Sequence, residues 1–309
     1  MDSDSIYNRH LDVFLLWACR ETGVVDALLA GPKTPEELAA ASEIRAAAAE
    51  PVLDGLVDLG YAEVSGEAYA PAEELQAFDP DTPALERGIL PHRLDSLETY
   101  LSLPEILRSG DLPEATEEGF LNYMGAMATV DEQLVREAVT VAEHAHPRPD
   151  RVLDVGGGSG GFGAEFVRRG ADATLVDLPE VLDLLADHHA DLGLETVPGD
   201  ARESLPEGFD LVFSARVTVN FTPAQLRAYY ENAFAALDPG GTVVSTTRIR
   251  GRSPEAARFG VHMLTLPADG TTLTEETYLS ALDETGFVDA EIREVPDTQF
   301  QAVVAHRPE

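Results

Sequence analysis

The stretch LDVGGGSGGFG, residues 153–163, places glycines at 156, 158 and 161 after an apolar run and before a helical pattern. This G-x-G-x-x-G spacing lets backbone approach a nucleotide-like ligand where a Cβ would collide. Three carboxylates accompany it. Asp154 lies within the first apolar run, Asp177 ends the second in LVDLPE, and Asp200 ends the third in VPGD. A carboxylate at Asp154 can meet an ammonium group, one at Asp177 both hydroxyls of a ribose, and one at Asp200 an adenine amine. The glycine spacing alone fits NAD(H) as well as S-adenosylmethionine. The acidic surroundings favour a sulfonium bearing an ammonium group over a pyrophosphate, so S-adenosylmethionine is the expected cofactor.

The elements that must position these residues alternate in type. From Arg151 onward, RVLDVG, ATLVDL, LETVPGD, FDLVFSA and GTVVSTTRI read as strands, with helices between most of them. Such alternation predicts an α/β fold with a Rossmann-like, mostly parallel sheet and ligands at the carboxyl ends of its strands. The last two strands, AEIREV and FQAVVAHRP, are separated only by PDTQ. That link is too short for a parallel crossover, so they form an antiparallel hairpin at one edge. Upstream the pattern is helical. KTPEELAAAS offers Thr34 as N-cap, Pro35 at the first helical position and two glutamates in the first turn. A second helix leads into AEVSGEAYAP, a hairpin turning at Gly66, which completes a winged-helix order. The domains expected are residues 1–92, a winged-helix-like dimerisation domain; 93–148, a helical linker and substrate cap; and 149–309, the catalytic domain, entered through the proline-containing linker HPRPD.

Charge narrows the partners. The 309 residues carry 56 acidic against 21 basic side chains, a formal net charge of -35, with Lys33 the single lysine. Hydrophobic residues make up 44%, more than a disordered acidic chain would hold. The combination predicts a folded protein with a hydrated acidic surface of the halophilic kind, since molar salt shortens the screening length to about 3 Å. Nucleic acid and anionic membranes are excluded as partners, because binding them needs clustered Lys and Arg. Cys19 stands alone, no His/Asp/Glu spacing points to a metal, and MDSDSIYNRH lacks a signal-peptide pattern. The expectation is a soluble, cytoplasmic protein without a membrane span.

With those residues in view, the chain resembles the S-adenosylmethionine-dependent small-molecule O-methyltransferases, the plant phenolic type and its bacterial antibiotic-pathway relatives. LDVGGGSGG, VDLPEVL, VPGDARESLPEGFDLVFSA, ALDPGGTVV and LTEETYLSALDETGF follow that family's motifs in order, and KTPEELA, LVDLGYAEV and YMGAM match its N-terminal regions. The resemblance implies a homodimer joined through the N-terminal domain and a small-molecule substrate. It implies that Asp154, Gly156 and Gly158 line the cofactor's methionine end, that Asp177 and Leu178 hold ribose and adenine, and that Asp200 and Ala201 hold adenine. Ser214 and Arg216 would sit beside the sulfonium, while Tyr123, Met127, Phe259, His262 and Met263 would line the substrate pocket.

One motif departs from the family. Its His-Asp-Trp carries the general base, and aligning the aromatic residue with Phe221 puts Asn220 at the Asp and Val219 at the His. The acid that steadies that His falls on Thr247. A positioned base contributes about 10²–10⁴ in rate, whereas orientation contributes roughly 7–11 kcal/mol. Methyl transfer without a base therefore survives for a nucleophile that is already ionised or otherwise needs no help. No catalytic residue is assigned, with His262 as a substitute base the weak candidate. His188 and His189 are expected on the surface of the helix after Asp177. The alternative reading is a cofactor-binding protein that has lost methyl transfer.

Overall fold

The computed structural model describes residues 3–309, with side chains from residue 11 onward. Met1 and Asp2, which open the stretch read above for a signal pattern, lie outside the described residues. Residues up to 98 together with 115–126 form one compact unit, and residues 99–114 with 127–309 form a second.

In the first unit, α1 (Ser3–Glu21), α2 (Val24–Leu29), α3 (Pro35–Ala41) and α4 (Ala46–Asp58) precede a hairpin of β1 (Ala62–Ser65) and β2 (Ala68–Pro71). Helix α3 begins as its sequence dictates. Thr34 accepts from the Glu37 amide while the Glu37 carboxylate accepts from the Thr34 amide, a complete capping box. The hairpin turns at Gly66 with φ of +68°, where a side chain would be strained. Leu16, Val24, Leu28, Leu38, Leu53 and Leu56 form the core of this unit.

Helices α5 (Leu90–Leu101), α6 (Leu103–Ser109), α7 (Glu117–Ala128) and α8 (Glu132–Ala145) follow. The division falls differently from the single cap expected over 93–148. Most of α7 belongs with the first unit, because Asn122 bridges Arg87 and Asp95 at 2.9 and 3.0 Å. Arg20 donates to the same Asp95 at 2.7 Å. Gly125 comes so close to this unit that a Cβ there would lie 2.5 Å from the Ala84 carbonyl oxygen. Helix α8, by contrast, belongs with the sheet. Its buried face of Leu134, Val135, Ala138, Val139 and Ala142 joins Val152, Leu211 and Val304 in one core. HPRPD is therefore a tight corner within the second unit, with Arg148 at φ of +56°.

The second unit is built on β3 (Arg151–Val155), β4 (Asp172–Asp177), β5 (Glu195–Pro198), β6 (Phe209–Ala215), β7 (Leu237–Thr247), β8 (Val288–Glu294) and β9 (Gln301–His306). Their order is β5-β4-β3-β6-β7-β9-β8. The first five are parallel, whereas β9 runs antiparallel to both β7 and β8, so the short link forces the edge hairpin as expected. Helices α9 (Gly161–Arg169), α10 (Pro179–Asp191), α11 (Pro223–Ala236), α12 (Ala256–Met263) and α13 (Glu275–Glu284) connect the strands. Alternate strand residues feed opposite cores. Leu153, Val155 and Val212 pack with Leu226, Tyr229 and Tyr278 on one face, while Val152, Leu211 and Phe213 pack with Phe162 and Phe166 on the other.

Candidate active site

The carboxyl ends of β3, β4 and β6 converge on the glycine-rich loop. Its conformation is fixed by backbone: Gly156 and Gly158 have φ of +65° and +54°. A Cβ on Gly156 would come 2.5 Å from a Val217 methyl, and one on Gly157 would reach 2.6 Å from Leu175 and 2.9 Å from Asp154. Glycine is required here both for dihedral freedom and for space.

The carboxylates hold that loop by its amides. Asp177 accepts from the Gly158 amide through Oδ2 and from the Leu178 amide through Oδ1, both at 2.8 Å. Asp154 accepts from the Gly163 amide at 2.9 Å and is 1% exposed. Burial pushes the Asp154 carboxyl up to about 7, the Gly163 bond opposes that rise, and the Asp177 charge adds to it. Burial also raises Asp177, again against the pull of its amide bonds. A cationic ammonium group entering here would relieve both. Asp200 differs, since Arg202 chelates it through Nε at 2.9 Å and Nη2 at 2.5 Å and holds its carboxyl below the usual range. Leu178 is exposed beside Asp177, and Ala201 is buried with its carbonyl bonded to Asn232 at 2.9 Å.

Two histidines missed as site residues grip the loop from α10. His189 is buried, not on the surface, and its Nε2 lies 2.8 Å from the Gly158 carbonyl oxygen. His188 Nε2 stands 3.1 Å from the Ser159 carbonyl oxygen. Val181, Leu182, Leu185 and His189 are the buried residues of α10. Their helical spacing is the signal that marks His189 as inward-facing.

Around Val219, hydroxyl groups bond to one another and to buried tyrosines. Val219 is buried in a single 3₁₀ turn, Thr218–Asn220, at the end of β6. Thr218 and Thr247 both hydrogen-bond the Tyr278 hydroxyl, at 3.0 and 3.3 Å. Burial raises that phenol above its ordinary range, so it stays protonated at neutral pH. Gly270 seals the turn: a Cβ there would lie 2.2 Å from the Asn220 carbonyl carbon and 2.4 Å from the Val219 oxygen. Ser214 turns into the interior, receiving the Tyr229 hydroxyl at 3.0 Å and donating to Ser245 at 3.1 Å.

The remaining predicted residues divide between the units. Tyr123 lies with the first unit, its ring edge-on to His92 at 5.4 Å. Met127 lies in the second, its sulfur accepting from Arg216 Nη2 at 3.2 Å. Phe259 and His262 pack ring to ring at 5.3 Å, and His262 Nδ1 stands 2.7 Å from the Tyr100 hydroxyl. Met263 is buried. Among the described residues no group of three or more His, Cys, Asp or Glu could hold a metal, and no helix is long and apolar enough to cross a membrane.

Residues 152–241 match the family model described as a methyltransferase domain. The chain carries a methyltransferase domain. Further comparisons agree with the resemblance to S-adenosylmethionine-dependent O-methyltransferases. The chain is 28% identical over 167 residues to 3-amino-4-hydroxybenzoate 4-O-methyltransferase of Streptomyces cremeus, covering 50% of this chain and 46% of that protein. It is 31% identical over 147 residues to aclacinomycin 10-hydroxylase RdmB of Streptomyces purpurascens, covering 46% and 39%. In those two alignments the chain spans less than half of its relatives' length. Its fold matches human N-acetylserotonin methyltransferase, solved in complex with S-adenosylmethionine, with a TM-score of 0.70, 22% identity, and coverage of 100% and 99%. Asp154, the glycine loop, Asp177 and Val219 all fall within the matched residues.

Proposed function

We propose that the protein is an S-adenosylmethionine-dependent methyltransferase acting on a small organic molecule, by O-methylation, without a histidine base. The observation that carries this reading is the joint arrangement of Asp154, the positive-φ glycines 156 and 158, and Asp177 at the carboxyl ends of β3 and β4. The donor set fits the cofactor: Asp154, raised by burial, suits an ammonium group, Asp177 suits ribose hydroxyls, and exposed Leu178 beside it suits an adenine ring. Bound there, S-adenosylmethionine supplies an electrophilic methyl on a cationic sulfur. Asp154, Gly156 and Gly158 would hold its methionine end, Asp177 the ribose, and Asp200 with Ala201 the adenine, once Asp200 loosens from Arg202. Ser214 supports the sulfonium region through packing, and Arg216 borders it.

The methyltransferase sheet then acts by orientation, which accounts for roughly 7–11 kcal/mol without any proton transfer. The experiment is incubation with labelled S-adenosylmethionine and panels of phenols, carboxylic acids, thiols and amines, together with host metabolite extract. Label passing to an acceptor supports the reading, and none passing to any of them overturns it.

A second reading is a cofactor-binding protein that does not methylate. Val219 and Thr247 favour it, as does the similarity to the aclacinomycin 10-hydroxylase of Streptomyces purpurascens. Copurifying S-adenosylhomocysteine indicates turnover, whereas unreacted S-adenosylmethionine persisting with acceptor indicates this second reading. We also propose a homodimer through a winged-helix-like N-terminal domain, supported by exposed Leu11, Val13 and Phe14 on α1. A cytoplasmic, halophilic setting is proposed from the net charge alone.

A further inference from the structure

Beside the sealed base position, two cations stand at the ends of neighbouring strands. Arg216 follows β6 with φ of +65°, and its amide donates to the Thr246 carbonyl at 2.8 Å, locking it against β7. Arg248 directly follows β7. Its guanidinium lies over the rings of Phe259 and Phe300 at 4.6 and 4.3 Å, and it forms no hydrogen bond or ion pair among the described residues. The two lie close enough that Arg216 adds to burial in lowering the proton affinity of Arg248. Glu255 is the carboxylate felt there, and it is engaged by Arg258 at 2.5 Å. On the facing helix, His262 is tied to Tyr100 of α5 at 2.7 Å. In a chain with 56 acidic and 21 basic residues, a half-buried guanidinium that has aromatic neighbours and no bonded carboxylate is anomalous. Its planar fork of donors is built for a carboxylate or another oxyanion.

We infer that Arg248, with Arg216 beside it, is an anion-recognition site that binds the acceptor as its oxyanion, an acidic phenol or a carboxylic acid in ionised form. The inference rests on the methyltransferase reading for its chemistry and on the two arginines for its specificity. An opposite charge within about 4–6 Å lowers an acid's pKa by roughly 1–3 units. That raises the reactive fraction of a weak acid by about 10–10³, comparable with the 10²–10⁴ of a positioned base. Positions 219 and 247 can therefore be Val and Thr because the acceptor's proton is already gone. Methyl transfer to such an anion forms one C–O bond and breaks one C–S bond, with the C–S electron pair remaining on sulfur. The sulfonium and oxyanion charges disappear together and no proton is left to remove. The Phe259 and Phe300 rings hold the guanidinium plane in place, so little side-chain freedom is lost on binding.

The test uses the full chain saturated with S-adenosylhomocysteine and a nitrophenol whose ionisation is read by its visible absorbance. The bound nitrophenol is expected to titrate roughly one unit or more below its free value. The Arg248→Gln variant should bring it back toward the free value, with Arg216→Gln producing a smaller upward change. The matching nitroanisole, which cannot ionise, should bind at least about ten-fold more weakly than the nitrophenolate. An unchanged or raised bound pKa, equal binding of the anisole, or no binding of either overturns the inference. So does an Arg248→Gln protein that loses S-adenosylhomocysteine while leaving the nitrophenol shift intact, since that assigns the arginine to the cofactor's own carboxylate. Should Arg248→Gln fail to fold, the wild-type shift and Arg216→Gln decide. Methyl transfer is assayed separately with labelled cofactor. An intact ionisation shift with no transfer retires the methyltransferase reading and keeps the anion site.

Discussion

The two halves of the site solve the placement of polar groups in opposite ways. On the β3 and β4 side, Asp154 and Asp177 are spent on loop amides, at 2.8–2.9 Å, yet both remain raised by burial and so are poised to gain from an incoming cation. On the β6 and β7 side, Thr218, Thr247, Ser214 and Ser245 are bonded to buried tyrosines or to one another, which leaves no acid–base group at the turn. The first half keeps electrostatic potential in reserve. The second has been closed by packing, and only the arginines at its rim still offer charge.

The sharpest way to break this comparison is steric. Gly270→Ala should be the most damaging single change, because its Cβ would fall 2.2 Å from backbone of the Val219 turn. Overpacking against backbone should cost about 3 kcal/mol, lowering Tm by roughly 6–12 °C, measured by thermal unfolding. A loss under about 1 kcal/mol would mean the turn yields readily and the second half is not closed.

The next effect separates the halves by pH. Asp154 has its folded pKa raised to about 7, above the unfolded value near 3.8, so between those values the folded state binds more protons than the unfolded one. Its contribution to stability is therefore full at low pH and declines as pH rises toward 7. Over pH 5.5 to 7 the decline from this group should be about 2 kcal/mol, and Asp154→Asn should lack it. Denaturant melts of both proteins across that range measure the difference. A parallel pH dependence in the two would remove the reserve attributed to the first half.

Asp177→Ala should weaken S-adenosylmethionine binding by about 1.5 kcal/mol, roughly ten-fold in Kd by calorimetry. Unchanged affinity would break the assignment of the β4 end. The smallest expected effect is an absence of gain. Val219→His should not raise methyl transfer to an ordinary phenol, because the buried turn under Gly270 gives an imidazole no route to an acceptor. A rise of about 10² or more would show the second half to be open after all.

Much of the frame was legible because its signals are local. The glycine spacing, the Thr34 cap and the six-residue link before β9 each determine a backbone geometry by themselves. The unread parts depend on long-range contact. Nothing in the neighbourhood of Gly270 announces that it meets residues 219–221, about fifty positions away. The assignment of α7 hinged on Asn122 finding Arg87 and Asp95, and helical periodicity cannot choose between two cores. His189 was readable in principle, since it continues the stripe of Leu182 and Leu185, but a polar residue on an apolar stripe needs its distant acceptor before it makes sense. Arg248 likewise looked like an unremarkable residue after a strand until Phe259 and Phe300 were brought to it.

The clamp on the glycine loop has a kinetic consequence. With amides tied to Asp177 and Asp154 and carbonyls tied to His188 and His189, the loop holds one shape from both sides before any ligand arrives. Cofactor entry then requires no ordering step, and association of cofactor with the empty protein should be single-exponential, with an observed rate that rises linearly with concentration.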